Sequence, residues 1–93
     1  MDITQIVDHF GSVIIKIKNT KVNIGGKNIG YEIYIQKSYK DKYNMILRQD
    51  EDNILDSCYN LEYYEVEDQL LKYGESARKY ASSINSRKDS PSG

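Results

Sequence analysis

The apolar positions at the start of the chain follow a helical period. In the segment MDITQIVDHFG they are Ile3, Ile6, Val7 and Phe10. Their spacing of i, i+3, i+4 and i+7 predicts a short amphipathic helix. Asp2 can cap its first turn with Gln5 as the capping-box partner, and Gly11 suits the left-handed position that commonly follows a helix. The pattern therefore predicts a helix that ends before residue 11.

Three later segments alternate apolar and polar residues, as half-buried strands do. They cover residues 12–18 (SVIIKIK), 30–36 (GYEIYIQ) and 43–49 (YNMILRQ). The paired glycines of NIGGKNIG (23–30) accept positive φ angles and supply a turn between the first two segments. The polar stretch KSYKDK (37–42) joins the second segment to the third. Three strands with short connections predict an antiparallel β-meander with one buried face.

The longest periodic signal lies in the second half of the chain. Its apolar residues, spaced alternately by three and four, are Tyr63, Val66, Leu70, Tyr73, Ala77, Tyr80 and Ile84. This spacing predicts a helix over about residues 61–84 with these side chains in the core. Residues 54–60 fit either a helical turn or a strand, and we expect a short helix or turn there. The polar tail, 85–93, is expected to be disordered.

These elements predict an α+β fold. A short N-terminal helix precedes a three-stranded antiparallel β-meander, and a long C-terminal helix packs on the sheet. The chain has 93 residues, which leaves room for one hydrophobic core. We therefore expect a single domain over residues 1–84.

Composition adds an excess of tyrosine and a single cysteine. The chain has nine tyrosines, one phenylalanine and no tryptophan, and tyrosine suits either a half-buried core layer or an interface. Cys58 has no cysteine with which to form an intrachain disulfide, which favours a reducing compartment. No charged-then-apolar leader and no long apolar run is evident. We expect a cytoplasmic protein that is neither secreted by a signal peptide nor inserted in a membrane.

The charges are segregated along the chain. Residues 1–49 carry eight Lys or Arg and four acids, whereas residues 50–71 carry eight acids and no base. Residues 72–93 return to five bases and two acids, so the net charge of −1 conceals an acidic middle segment. Such asymmetry is informative about the partners that a chain can attract.

No residue pattern indicates catalysis. One histidine, His9, and one cysteine, Cys58, are too few for a zinc site and are a weak indication of a nucleophile and its base. DEDN (50–53) lacks the central glycine of a calcium loop, and GGKN (25–28) lacks the serine or threonine of a phosphate-binding loop. We therefore predict a protein that is not an enzyme and needs neither a metal nor a cofactor.

The acidic helix provides the leading candidate for a binding surface. Tyr64 and Leu71 lie one heptad apart outside the predicted core stripe, so they either form the edge of the core or contact a partner. The early acids also complement the positive end of the helix dipole. The candidate partner-binding residues are Glu62, Tyr64, Glu65, Glu67, Asp68 and Leu71. They would suit a protein partner with a basic surface.

Two alternatives use other features. Basic and aromatic residues on the predicted sheet would suit nucleic acid, as a second choice of partner. These residues are Lys16, Lys18, Tyr34, Lys37, Tyr39, Lys40 and Arg48. In the other alternative, the C-terminal helix forms a homodimer as a self-associating structural module.

The plan of the chain, with its DEDNILD and LEYYEVEDQ stretches, resembles the small phage-encoded anti-CRISPR inhibitor proteins. Some members of that family present carboxylates where DNA would bind. The resemblance implies a mobile-element anti-defence inhibitor that occludes the nucleic-acid-binding groove of its partner. The basic first half of this chain departs from the strongly acidic members, so the resemblance implies mimicry by the acidic segment rather than by the whole protein.

Overall fold

The computed structural model describes residues 2–49 and 53–89, without the side chains of residues 24 and 84–89. Its elements are α1 (Ile3–Phe10), β1 (Ser12–Lys16), β2 (Val22–Ile24), β3 (Lys27–Ile29), β4 (Glu32–Lys37), a 3-10 turn (Tyr39–Asp41), β5 (Tyr43–Arg48), β6 (Ile54–Leu61) and α2 (Tyr63–Asp89). The α+β class, the short first helix and the long last helix are as predicted.

Helix α1 has the caps that the sequence predicts. The Asp2 carboxylate accepts the Gln5 N–H across 3.0 Å, and the Gln5 side chain accepts the Asp2 N–H across 3.1 Å. At the other end, Gly11 has a φ of 88° and donates its N–H to the Val7 carbonyl across 2.7 Å. A left-handed residue at this position lets the chain turn directly into β1.

The main sheet has four antiparallel strands in the order β1-β4-β5-β6. The three predicted strands are β1, β4 and β5, so the predicted meander is confirmed in part. Gly25 and Gly26 have the positive φ angles that the sequence predicts, 60° and 84°. However, this turn closes a separate hairpin of β2 and β3 instead of joining β1 to β4. Strands of three residues are too short to show a clear alternation.

The expectation of a helix or turn over residues 54–60 is wrong, because this segment forms the edge strand β6. Leu55 and Cys58 are spaced by three, yet both pack against the core. A register shift against Leu47 and Arg48 inserts an extra residue into β6, and this bulge breaks the period of two. A second irregularity includes Asn60, which has a φ of 58°. The bulges therefore gave a strand the apparent spacing of a helix.

Helix α2 packs on the inner face of the sheet through a stripe that differs from the predicted one. Its contacting residues are Val66, Leu70, Tyr73, Ala77 and Ala81. The prediction of Tyr63 and Tyr80 as core residues is wrong, since they are 65% and 52% exposed. The spacing of four from Tyr73 to Ala77 to Ala81 follows the 3.6-residue period of a straight helix, which departs from a strict heptad after a few turns.

The ends of α2 also differ from the prediction. The helix begins at Tyr63, two residues later than expected, and continues to Asp89. It therefore includes the first five residues of the predicted polar tail. Residues 90–93 of that tail, and the predicted core side chain of Ile84, lie outside the described part of the structure.

Candidate functional site

The part of α2 outside its core stripe carries two apolar side chains and two carboxylates. We call Tyr64, Glu67, Asp68 and Leu71 the acidic–aromatic face; their spacing is i, i+3, i+4 and i+7. At 100° per residue, Tyr64 and Leu71 lie about 120–140° around the axis from the centre of the core stripe. They are 64% and 69% exposed. Neither residue is therefore buried in the core, although Leu71 lines a concavity beside Ile15 and Leu70.

An aromatic cluster lies at the start of this face. The rings of Tyr63 and Tyr64 meet edge to face, with centroids 5.6 Å apart and planes at 84°. Tyr59, at the end of β6, is also 60% exposed. Sequence reasoning missed Tyr63 because it falls on the periodic stripe. Its exposure could have been expected from its position as the first residue of the stripe. A side chain at the start of a helix has no preceding helical turn against which to pack.

Glu62 and Glu65, two of the predicted partner-binding residues, have structural roles in this protein. The Glu62 carboxylate forms an ion pair with Lys42. The Glu62 N–H donates to the Glu65 carboxylate across 3.0 Å, and the Glu65 N–H donates to the Glu62 carbonyl across 2.9 Å. These contacts close the first turn of α2 and attach it to the residue that precedes β5. They leave Glu67 and Asp68 as the carboxylates of the face.

Glu67 and Asp68 are both exposed. Neither carboxylate forms a hydrogen bond or an ion pair with any residue in the ranges 2–49 and 53–89. Two adjacent carboxylates beside exposed Tyr64 and Leu71 are chemically suited to Lys or Arg side chains on a partner.

The alternative basic set is divided among three places. Lys37 lies at the far end of β4 from Lys16, and its ammonium contacts the Asp8 carboxylate at 2.5 Å and Asp41 at 3.4 Å. Tyr43 Oη also donates to Asp8, across 2.7 Å. These two hydrogen bonds, the one from Lys37 first, lower the pKa of Asp8, and the contact with Asp8 raises the pKa of Lys37. This cluster joins α1 to the sheet.

Arg48 and Lys40 also have local partners. Arg48 Nε donates to Glu32 across 2.7 Å, and its guanidinium lies 5.3 Å from the centre of the Tyr34 ring. Lys40 lies 5.5 Å from the centre of the Tyr39 ring in the 3-10 turn. The outer face of the sheet, where Ile14, Tyr34 and Ile46 are paired across three strands, is mixed rather than lysine-rich. Only Lys16 and Lys18 of the predicted set remain close together without an acidic partner among the described residues.

The candidate nucleophile and base are separate. The His9 ring packs edge to face on Phe10 at 4.6 Å, on the exposed side of α1, whereas Cys58 Sγ accepts a hydrogen bond from Tyr73 Oη across 3.2 Å. Within the described residues, no group of three or more His, Cys, Asp or Glu side chains is placed to hold a metal ion. No helix in the same residues is long and apolar enough to cross a membrane.

Comparison with known proteins adds no functional assignment: no family model, no curated protein and no solved structure matches this chain.

Proposed function

We propose that this chain is a non-enzymatic binding protein that occludes a basic, nucleic-acid-binding groove of a partner protein through the acidic–aromatic face. The observation that carries the proposal is the joint exposure of Tyr64 and Leu71, one heptad apart, beside the carboxylates of Glu67 and Asp68, which have no polar partner among the described residues. The anti-CRISPR resemblance, with a CRISPR nuclease as the implied partner, stays a prediction.

The two kinds of side chain have different roles in the proposed complex. Burial of an exposed Leu or Tyr side chain contributes about 1.5–3 kcal/mol, and tyrosine is enriched among residues that dominate binding energy. Carboxylates at an interface mainly accelerate encounter with a basic surface and reject acidic partners. We therefore assign the stability of the complex to Tyr64 and Leu71, and its selectivity to Glu67 and Asp68.

Homodimerisation through the same face is the competing proposal. Two copies of α2 that met through Leu71 would also bring the Glu67 and Asp68 carboxylates of both copies together. Like charges placed face to face oppose association, whereas a basic groove satisfies them. The charge of the face therefore favours a basic partner over a second copy. A monomer by light scattering at concentrations well above the partner Kd would support this choice.

The test starts with affinity capture of the partner from host lysate after nuclease digestion, so that nucleic acid cannot bridge the two proteins. Binding of the purified partner is then compared for Tyr64→Ala/Leu71→Ala and for Glu67→Gln/Asp68→Asn. Loss of two dominant contacts of more than about 1 kcal/mol each predicts at least a 30-fold weaker complex for the first variant. The second variant should lower the association rate and its salt dependence.

The matched control is Asp41→Asn/Asp56→Asn, which makes the same change in net charge at exposed acids away from the face. It should bind as the wild type does. Occlusion is tested by adding nucleic acid to the complex, and the two ligands should exclude each other. Equal losses in the face and control variants, or a stable ternary complex with nucleic acid in the groove, would contradict the proposal.

A further inference from the structure

A cluster of lysines surrounds two adjoining concavities where β1 leaves the sheet for the β2–β3 hairpin. We call Lys16, Lys18, Lys21 and Lys27 the lysine basin. The concavities have volumes of about 600 and 610 Å³, and both are lined by Lys16, Ile17 and Lys21. Lys27 lines the first and Lys18 the second. Sequence reasoning singled out Lys16 and Lys18, but it missed Lys21 and Lys27 because the hairpin that places them was not predicted.

The basin is positively charged with little local compensation. All four lysines are exposed, and none forms an ion pair with another residue that the structure describes. Glu32 is the one acid among the lining residues of the two concavities, and its carboxylate is held by Arg48 at 2.7 Å. Glu75 lines a third concavity together with Lys16 and Lys18, but it forms no ion pair with either lysine. The four lysines therefore line adjoining concavities in which none of them is paired with a carboxylate of the described residues.

The backbone beneath the basin is fixed by a buried hydroxyl. Thr20 is fully buried, and its Oγ1 donates to the Ile17 carbonyl across 2.7 Å and accepts the Tyr31 N–H across 3.4 Å. Asn19 completes this corner with a φ of 63°. Lys18 and Lys21 flank the corner on either side. Because the corner is held to β4, these ammonium groups are attached to a fixed backbone rather than to a free loop.

We infer that the lysine basin binds the phosphate groups of a nucleic acid backbone. Lysine is a point charge that suits phosphate without demanding one geometry. Two open, adjoining concavities fit successive phosphates along a strand better than one small anion. Tyr31, the aromatic residue that lines the first concavity, is 2% exposed and so offers no surface on which a base could stack, which leaves the phosphates as the groups in contact. The site should therefore bind strands without sequence preference.

This inference does not rest on the proposed function. The basin shares no residue with the acidic–aromatic face, although Leu71 lines a third concavity together with Lys16 and Lys18. The test is the fluorescence anisotropy of a labelled single-stranded oligonucleotide titrated with the full chain. Four neutralised phosphates predict a roughly 50-fold loss of affinity between about 50 and about 200 mM salt. Lys18→Gln/Lys21→Gln should reduce that factor to roughly 7-fold, since it halves the number of contacts.

The matched control is Lys40→Gln/Lys72→Gln, which removes the same charge at exposed lysines outside the basin. It should keep the wild-type affinity and salt dependence. Competition with tripolyphosphate distinguishes a nucleic acid backbone from a short polyanion as the ligand. If the site binds a backbone, tripolyphosphate should displace the oligonucleotide only at high excess.

Three results would overturn the inference. One is the absence of binding at low salt, and another is an equal loss in the basin and control variants, which would reflect net charge alone. The third is salt-sensitive self-association without oligonucleotide binding, which would mean that the basin contacts the acidic–aromatic face of a second copy. Glu67→Gln/Asp68→Asn should leave strand binding intact, so failure of the proposed function is distinguishable from failure of this inference.

Discussion

Tyr73 Oη donates a hydrogen bond to Cys58 Sγ across 3.2 Å, and this contact joins the middle of α2 to the edge strand β6. Tyr73 is 2% exposed. Burial, followed by the contact with Cys58, raises the pKa of Tyr73, so its hydroxyl keeps its proton throughout the neutral range. The only cysteine of the chain is therefore a partly buried acceptor packed against the core.

Substitution Tyr73→Phe removes this hydrogen bond and little else. A typical intramolecular hydrogen bond contributes about 0.5–1.5 kcal/mol, and sulfur is a weak acceptor. We expect a loss near the lower end of that range in the free energy of unfolding, measured by urea denaturation. Tyr64→Phe is the matched control, because it makes the same chemical change at a side chain that is 64% exposed. A larger loss in the control would contradict the assignment.

The Asp8 cluster makes stability depend on pH in the acid range. The pKa of Asp8 is lowered from its ordinary value of 3.8, chiefly by the hydrogen bond from Lys37 and then by that from Tyr43. The unfolded chain therefore binds a proton at a higher pH than the folded chain does. The stabilisation is complete above the unfolded pKa and is lost as the pH falls through the folded pKa.

We therefore expect the free energy of unfolding to fall below about pH 5 and the fall to be smaller in Asp8→Asn. Urea denaturation at several pH values measures both profiles. Glu67→Gln should keep the wild-type profile, since Glu67 has no polar partner in the described part of the chain. Identical acid profiles for the wild type and Asp8→Asn would show that the cluster does not contribute.

Two leucines allow the core and the proposed interface to be tested by the same substitution. Leu47 is 1% exposed on the inner face of the sheet, whereas Leu71 is 69% exposed on α2. Leu47→Ala should lower the free energy of unfolding by about 2–5 kcal/mol, because it leaves a cavity. Leu71→Ala should change it by less than about 0.5 kcal/mol. A large loss for Leu71→Ala in thermal or urea denaturation would mean that Leu71 is a core residue and not a partner contact.

The Thr20 hydroxyl supports the corner that carries the lysine basin. Thr20→Val keeps the shape of the side chain but leaves the Ile17 carbonyl and the Tyr31 N–H without this partner. A buried polar group that loses its partner costs about 1–3 kcal/mol. We expect a loss of that size by urea denaturation, and Thr20→Ser should recover most of it because it restores the hydroxyl. Equal stability of the Ser and Val variants would show that the hydroxyl is not needed.

Local sequence patterns predicted the elements whose capping residues or apolar periodicity are regular. The capping residues and the single apolar stripe placed α1 within its observed bounds, and regular alternation identified β1, β4 and β5. The segments that were missed have irregular or short patterns. Strand β6 contains bulges that mimic helical spacing, and β2 and β3 have three residues each. The sequence left open whether Tyr64 and Leu71 are exposed. A helical wheel gives the direction of each side chain, but it does not show how much of the helix the sheet covers.

Local sequence patterns were enough to predict the α+β class, the ends of α1, the amphipathic character of α2 and the concentration of acids in residues 50–71, because these features depend on neighbours within a few positions. Which charges are available to a partner could be read only from the folded chain. Glu62, Lys37 and Arg48 are neutralised by residues distant in sequence. Lys27, in contrast, lines a concavity with Lys16 and Lys21 because the β2–β3 hairpin folds beside β1. A charge is available for binding only when folding brings it no counter-charge, and that depends on contacts between distant parts of the chain.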